Sequence, residues 1–202
     1  MLHKLGILLS GRGSNFLAIA DSCLTGKLDA EIAIVISNRE DAPGLARAKE
    51  MGLHTRLIPS KGRVREEHDA EVIAALKEMQ VELVCLAGYM RLLSPQFVRA
   101  FPNRILNIHP SLLPAFPGLN AQKQAFDHGV KVSGCTVHLV DEDLDHGPII
   151  VQRTVPVLDS DDDHTLADRI LEQEHIAYTE AIRIMLRGAN VVGRRVIAKT
   201  AG

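Results

Sequence analysis

Short apolar runs rich in Ile, Val and Leu alternate with longer amphipathic segments through the first half of the chain. That alternation narrows the possible folds more than any other feature. Leu5–Leu9 reads as a first strand and Asn15–Cys23 as the helix after it. Ile32–Ile36 reads as a second strand, followed by a short helix over Gly44–Met51 with Pro43 suited to its start. Thr55–Ile58 reads as a third strand, and Arg65–Gln80 sets Val72, Ile73, Leu76 and Met79 at helical spacing. Leu83–Ala87 is continuously apolar, as a strand covered on both faces is. Pro95–Ala100 is a short helix and Arg104–Ile108 a further strand. Parallel neighbours need crossover connections, so this order predicts a parallel sheet with helices on both faces.

Beyond His109 the pattern changes. Val132–Val140 and Ile149–Val157 look like long neighbouring antiparallel strands, Asp163–Leu186 like a long amphipathic helix, and Asn190–Ala198 like a closing strand pair or tail. The expectation is one α/β domain over residues 1–202. Its Rossmann-like parallel half (1–108) continues into a mixed C-terminal half (109–202).

Bulk properties exclude several classes of function. A net charge of −2, an aromatic content of 3% and no Trp argue against a nucleic-acid partner. Cys23, Cys85 and Cys135 are odd in number and lack metal-site spacing, which suits reduced thiols in the cytoplasm. Gly6–Leu9 is too short for a signal peptide, and no apolar run approaches the roughly 20 residues of a membrane span. The expected setting is cytoplasmic, without membrane, nucleic acid or metal. Oligomeric state is left open between monomer and homodimer.

The chemistry concentrates in Asn107-Ile108-His109-Pro110-Ser111-Leu112-Leu113-Pro114. Side chains two apart on a strand point the same way, so Asn107 and His109 should face one site, with Pro110 and Pro114 stiffening the loop that follows. A lone Asn or His at a strand end is ordinarily a turn former or a satisfied polar residue. An amide donor beside a group that titrates near neutral pH is also what acyl transfer to an amine needs.

Two further clusters support the chemical reading. Gly11 and Gly13 lie between a strand and a helix, where backbone N–H groups can approach an anion, and Ser14 and Asn15 suit the helix cap. The loop lacks the third glycine of a dinucleotide fingerprint and the Lys-Ser/Thr of a P-loop, and no acidic residue ends the second strand. A single phosphate therefore fits better than a dinucleotide. In Asp141-Glu142-Asp143-Leu144-Asp145-His146-Gly147, a calcium loop is disfavoured because its glycine is displaced and its flanks are strand-like. The alternatives are a solvated turn or a loop whose Asp145 reaches His109 and favours the imidazolium. Asp161, Asp162 and Asp163 should cap the long helix. His138 reads as a half-exposed strand residue, and Glu174 and His175 as helix surface.

With these residues assembled, the chain resembles the phosphoribosylglycinamide formyltransferases, within the 10-formyltetrahydrofolate-dependent formyltransferase superfamily. The resemblance rests on Ser10–Asn15, Leu86–Leu93, Asn107–Pro114, Pro117-Gly118-Leu119 and Leu144–Ile150, and covers nearly the whole chain. It implies a formyl transfer from 10-formyltetrahydrofolate to the amine of phosphoribosylglycinamide, without metal. Position by position, it implies that Gly13, Ser14 and Asn15 hold the substrate phosphate and that Glu174 lies near the ribonucleotide. Arg65, Met90, Arg91, Leu92 and Leu93 then contact the folate, together with Asn107 and the loop Asp141, Glu142, Asp143, Leu144 and Asp145. Asn107, His109 and Asp145 form the catalytic set. The chain departs from the family at Asn120-Ala121-Gln122, where many members carry histidines, and its Gly193-Arg194-Arg195 tail matches nothing in detail. The rivals are a formyltetrahydrofolate deformylase, which uses the same residues on water, and a non-catalytic binding module. A methionyl-tRNA formyltransferase would need a second domain.

Overall fold

Each apolar run of the N-terminal half becomes a strand in the computed structural model, which describes residues 2–199. In chain order the elements are β1 (His3–Leu9), α1 (Ser14–Leu24), β2 (Ala30–Ser37), α2 (Pro43–Glu50), β3 (Thr55–Leu57), α3 (Arg65–Glu78), β4 (Leu83–Leu86), α4 (Pro95–Ala100) and β5 (Ile105–His109). They continue with α5 (Ala121–His128), β6 (Val132–Leu139), β7 (Ile149–Pro156), α6 (Asp163–Leu186), β8 (Asn190–Val192) and β9 (Arg195–Ile197). The fold is α/β. Packing divides it into two compact units, with the boundary between residues 106 and 107, inside β5.

In the first unit the strands run in the order β3-β2-β1-β4, all parallel, which is the order of one half of a doubly wound sheet. Leu5, Ile7, Leu8 and Leu9 of β1 are fully buried, which explains why the run is apolar on both faces. At Gly6 a Cβ would come within 2.5 Å of Leu76 Cδ2 and 2.9 Å of Val81 Cγ1, so a side chain there would force both to shift. The core also holds a polar tie. The His68 Nε2 proton goes to the Ile58 carbonyl at 2.9 Å, while Asp69 accepts from Ser94 N at 2.6 Å. That pair anchors α3 to the end of β3 and the start of α4.

In the second unit the order is β6-β7-β9-β8. β6 and β7 are antiparallel, as the sequence predicts, and so are β8 and β9, while β9 joins β7 in parallel at Ile149 and Arg195. The closeness of the first pair depends on Gly134, where any Cβ would collide with the Arg153 carbonyl. α6 begins at a capping box, Asp162 accepting from Thr165 N and Thr165 from Asp162 N. Its Leu166, Ile170, Ala177, Tyr178, Ala181 and Ile182 form one fully buried stripe.

Two local expectations need correction. Gly13, with φ 76, is the N-cap of α1, and Ser14 is already helical, so neither Ser14 nor Asn15 is the cap. The helix α5 was not expected, because only Ala121 and Ala125 mark its buried face and neither is strongly apolar.

Candidate active site

The second unit gathers two strand ends and two loops around one carboxylate. β5 runs to His109, so Asn107 and His109 both lie on it and share a face. His109 is buried, with Nε2 2.9 Å from the Phe116 carbonyl and Nδ1 3.3 Å from Asp145 Oδ2. Both ring nitrogens therefore face acceptor oxygens, and only the doubly protonated ring offers each a donor. Asp145 is also held by the backbone, accepting from Gly118 N at 2.8 Å, and its side chain is only 7% exposed. Its φ of 50° turns the chain so that the carboxylate points inward while Glu142, Asp143 and Leu144 stay exposed.

His138 corrects the sequence reading. It is not half-exposed but buried on β6, at 2% exposure, because its strand is covered on that face. Its Nδ1 lies 2.8 Å from the Leu139 carbonyl, which can only accept, so the proton sits on Nδ1. Burial holds the ring below the usual histidine range and thus neutral, which leaves a bare lone pair on Nε2. Asn107 Nδ2 lies 3.2 Å from that nitrogen and donates to it. The amide orientation is thereby set: one N–H goes to His138 and the second is available to another acceptor. Asp145 Oδ1 stands 3.8 Å from the same ring. The signal in the sequence was slight, a single histidine at an inward position of an apolar strand.

The rest of the acidic loop is folded on itself. Asp141 accepts from Asp143 N at 3.1 Å, and its other oxygen lies 2.8 Å from His146 Nδ1. At Gly147 a Cβ would collide with the Leu139 carbonyl, so the base of the loop admits no side chain. Among the described residues, no group of three or more His, Cys, Asp or Glu is placed to hold a metal ion. Glu174 corrects another reading. It is 6% exposed and helps, after burial itself, to push the Cys135 thiol up to about 12.

In the first unit the glycine loop is a backbone device. Gly44 N donates to the Gly11 carbonyl at 3.0 Å, and a Cβ on Gly13 would come 3.0 Å from Gly44 Cα. Gly44 went unnoticed in the sequence because a glycine after Pro43 looks like ordinary helix entry. Behind the loop, Ser10 Oγ donates to Asn38 Oδ1 at 2.6 Å and accepts from Met90 N at 2.8 Å. Asn15 is buried and Ser14 half-buried at the start of α1, whose first-turn amides carry the positive end of the helix dipole. Met90 and Leu92 are exposed at 68% and 55%, and Leu93 is half-buried. Arg91 turns inward, donating to the Ser60 and Arg63 carbonyls, whereas Arg65 is exposed beside Glu66.

Residues 3–182 match the formyl transferase family. The chain belongs to that family. Its members at high identity include the phosphoribosylglycinamide formyltransferase of Escherichia coli, 44% identical over 173 residues that make up 85% of this chain and 82% of that one. A crystal structure of glycinamide ribonucleotide transformylase 1 from Symbiobacterium toebii is 50% identical and covers 98% of this chain and 94% of its own, at a TM-score of 0.95. A formyltetrahydrofolate deformylase from Pseudomonas syringae has the same fold at 28% identity and a TM-score of 0.92, over 98% of this chain and 66% of its own. The chicken trifunctional purine biosynthetic protein adenosine-3 is 46% identical over 191 residues, 94% of this chain, which spans only 19% of that protein's length. Formyl transferase architecture thus serves both transfer and deformylation, and the fold alone does not choose between them.

Proposed function

We propose that this chain moves the formyl group of 10-formyltetrahydrofolate to the amine of phosphoribosylglycinamide, a step of purine synthesis. The observation that carries this reading is the amide and imidazole pair of Asn107 and His109, each oriented by a partner that sets its hydrogen bonding. The formyl-folate supplies an activated one-carbon unit, and the substrate amine is itself the nucleophile. As attack proceeds, negative charge gathers on the formyl oxygen. The second N–H of Asn107 donates to it, an effect whose loss typically costs about 3 kcal/mol. Imidazolium at His109, once its Nε2–H has left the Phe116 carbonyl, stabilises the same oxygen. The amine gives up a proton as its bond to the formyl carbon forms, the bond from that carbon to folate N10 then breaks, and N10 takes a proton, so that tetrahydrofolate leaves and His109 returns to its starting state. Asp145 balances the charge of that ring without being consumed.

Binding roles follow from chemistry at each place. Backbone N–H groups at Gly13 and the first turn of α1, with Ser14 and Asn15, suit a phosphate monoester. Glu174 suits the ribonucleotide's polar groups. In the first unit, exposed Met90 and Leu92, with Leu93, are apolar surface of the kind a folate ring packs on. In the second unit, the polar backbone of Asp141–Asp145 is suited to hydrogen-bond a folate. Arg65 is assigned to the folate on the strength of the resemblance alone. Arg91 contributes mainly by holding the Ser60–Arg63 backbone. The chain acts in the cytoplasm; no helix among the described residues is long and apolar enough to cross a membrane.

Folate absorbance recorded with and without phosphoribosylglycinamide tests the reading. A change that requires the amine supports transfer. A change in water alone makes the chain a deformylase, and no change in either mixture makes it a binding module.

A further inference from the structure

The β8–β9 hairpin lies beyond residue 182, where the family match ends. It adds little to the core, since Val192 and Ile197 are 61% and 45% exposed. Its turn, Gly193 with φ 58° followed by Arg194, instead delivers a guanidinium to the acidic loop. Arg194 Nη1 lies 2.8 Å from His146 Nε2 and 3.2 Å from Nδ1, while Nη2 donates to the His146 carbonyl. Being this close to both nitrogens of one imidazole, Nη1 lies over the ring face rather than along either in-plane lone pair, so the guanidinium packs on the ring. His146 Nδ1 lies 2.8 Å from Asp141 Oδ2, a carboxylate oxygen that accepts, so Nδ1 carries the proton. Arg194 thus holds the ring and the carbonyl of His146, and His146 in turn holds Asp141, which ties the two ends of the loop together.

Asp145 sits inside that tie, as the peptide neighbour of His146. Gly147 fixes the base of the loop against β6, and Arg194 grips the carbonyl one residue past the carboxylate that meets His109. We propose that Arg194 is a positioning residue for the transfer reaction: clasping His146 holds the Asp141–Gly147 loop in the shape that aims Asp145 at His109. It touches none of the three reacting groups and acts only through the loop. This inference rests on the catalytic reading of Asn107, His109 and Asp145.

The test compares Arg194→Ala, Arg194→Lys and the double variant Arg194→Ala/Asp145→Asn with the wild type. Readouts are amide hydrogen exchange over residues 141–147, steady-state and single-turnover transfer, and melting temperature. Arg194→Ala is expected to speed exchange in that segment alone and to lower kcat about ten- to a hundredfold, the range for a reacting group slightly misplaced. The KM for phosphoribosylglycinamide should be unchanged. Lysine keeps one charged donor without the planar fork, so it should recover only part of the loss. In the Asp145→Asn background the alanine change should add nothing, because its effect runs through that carboxylate. Unchanged exchange, unchanged kcat, or losses that simply add in the double variant would each overturn the proposal. A wild type that transfers nothing to the amine would sink the functional reading instead, and the exchange data would still judge the clasp.

Discussion

Two acidic runs flank β7, Asp141–Asp145 before it and Asp159–Asp163 after it, and their compositions are nearly the same. Their carboxylates have opposite fates. In the second run Asp161 takes both arms of the Arg169 guanidinium at 2.7 Å and the amide of Leu158 at 2.8 Å, while Asp162 caps α6. The partners of Asp161 are a guanidinium, a hydroxyl and a backbone N–H, and none of them exchanges a proton with it near neutral pH. In the first run Asp145 is aimed at an imidazole, with a second imidazole 3.8 Å away. What separates Asp145 from Asp161 is the company of its partner: the imidazole it meets shares a strand face with Asn107, whereas the Arg169 guanidinium serves only to hold the chain.

That contrast breaks most visibly on Asp145→Asn against Asp161→Asn. The first is expected to lower turnover on the order of 10²–10⁴-fold with the melting temperature little changed, the second to leave turnover intact. Comparable losses in formyl-transfer assays on both would erase the distinction. Next comes Gly147→Ala, where the new Cβ meets the Leu139 carbonyl. Overpacking of this kind costs about 1–3 kcal/mol, read as a lower denaturant midpoint, and should be joined by a fall in activity because the loop base moves. Asp162→Ala removes the side-chain acceptor of the α6 cap, so it should lower the denaturant midpoint by less than Gly147→Ala does and leave kcat alone.

The smallest effect separates two residues on the pH axis. Burial lowers His138 in the folded state, so the unfolded chain binds more protons as pH drops below its ordinary value near 6.5. Stability contributed by the neutral ring is complete above that value and declines on acidification toward the folded value. Asp161 is held well below the usual carboxylate range, first by Arg169 and then by the Leu158 amide. Its contribution is complete well above about 3.9 and declines as pH falls below that value toward the depressed folded one. Denaturant unfolding between pH 8 and pH 3 should show His138→Gln flattening the limb below 6.5 and Asp161→Asn flattening only the acid limb. Superimposable curves for wild type and His138→Gln would mean that the ring is not buried neutral.

Local periodicity carried most of the fold. The bounds of α6 are those read from its apolar stripe and acidic start, and the antiparallel pairing of β6 and β7 follows from their length and shared register. The eight residues of α5 carry only two alanines on their buried side, too little apolar contrast for a pattern to register. In the site, the spacing of Asn107 and His109 was readable because strand geometry is local. His138 and Glu174 were not, since their burial depends on which face of a distant strand or helix is covered. Arg194 was invisible for the same reason: a Gly-Arg-Arg turn looks like any solvated hairpin until the loop it reaches is in place.

The left-handed backbone at Asp145 has a consequence for anyone redesigning this chain. Glycine is comfortable at a φ of 50° and aspartate less so, and a carboxylate 7% exposed adds a desolvation cost. A procedure that ranks substitutions by thermal robustness would therefore favour glycine at this position and deliver a hardier protein with nothing to balance the charge on His109. The optimum for endurance and the optimum for turnover lie on different residues here, so a stability screen and an activity screen should disagree most sharply at position 145.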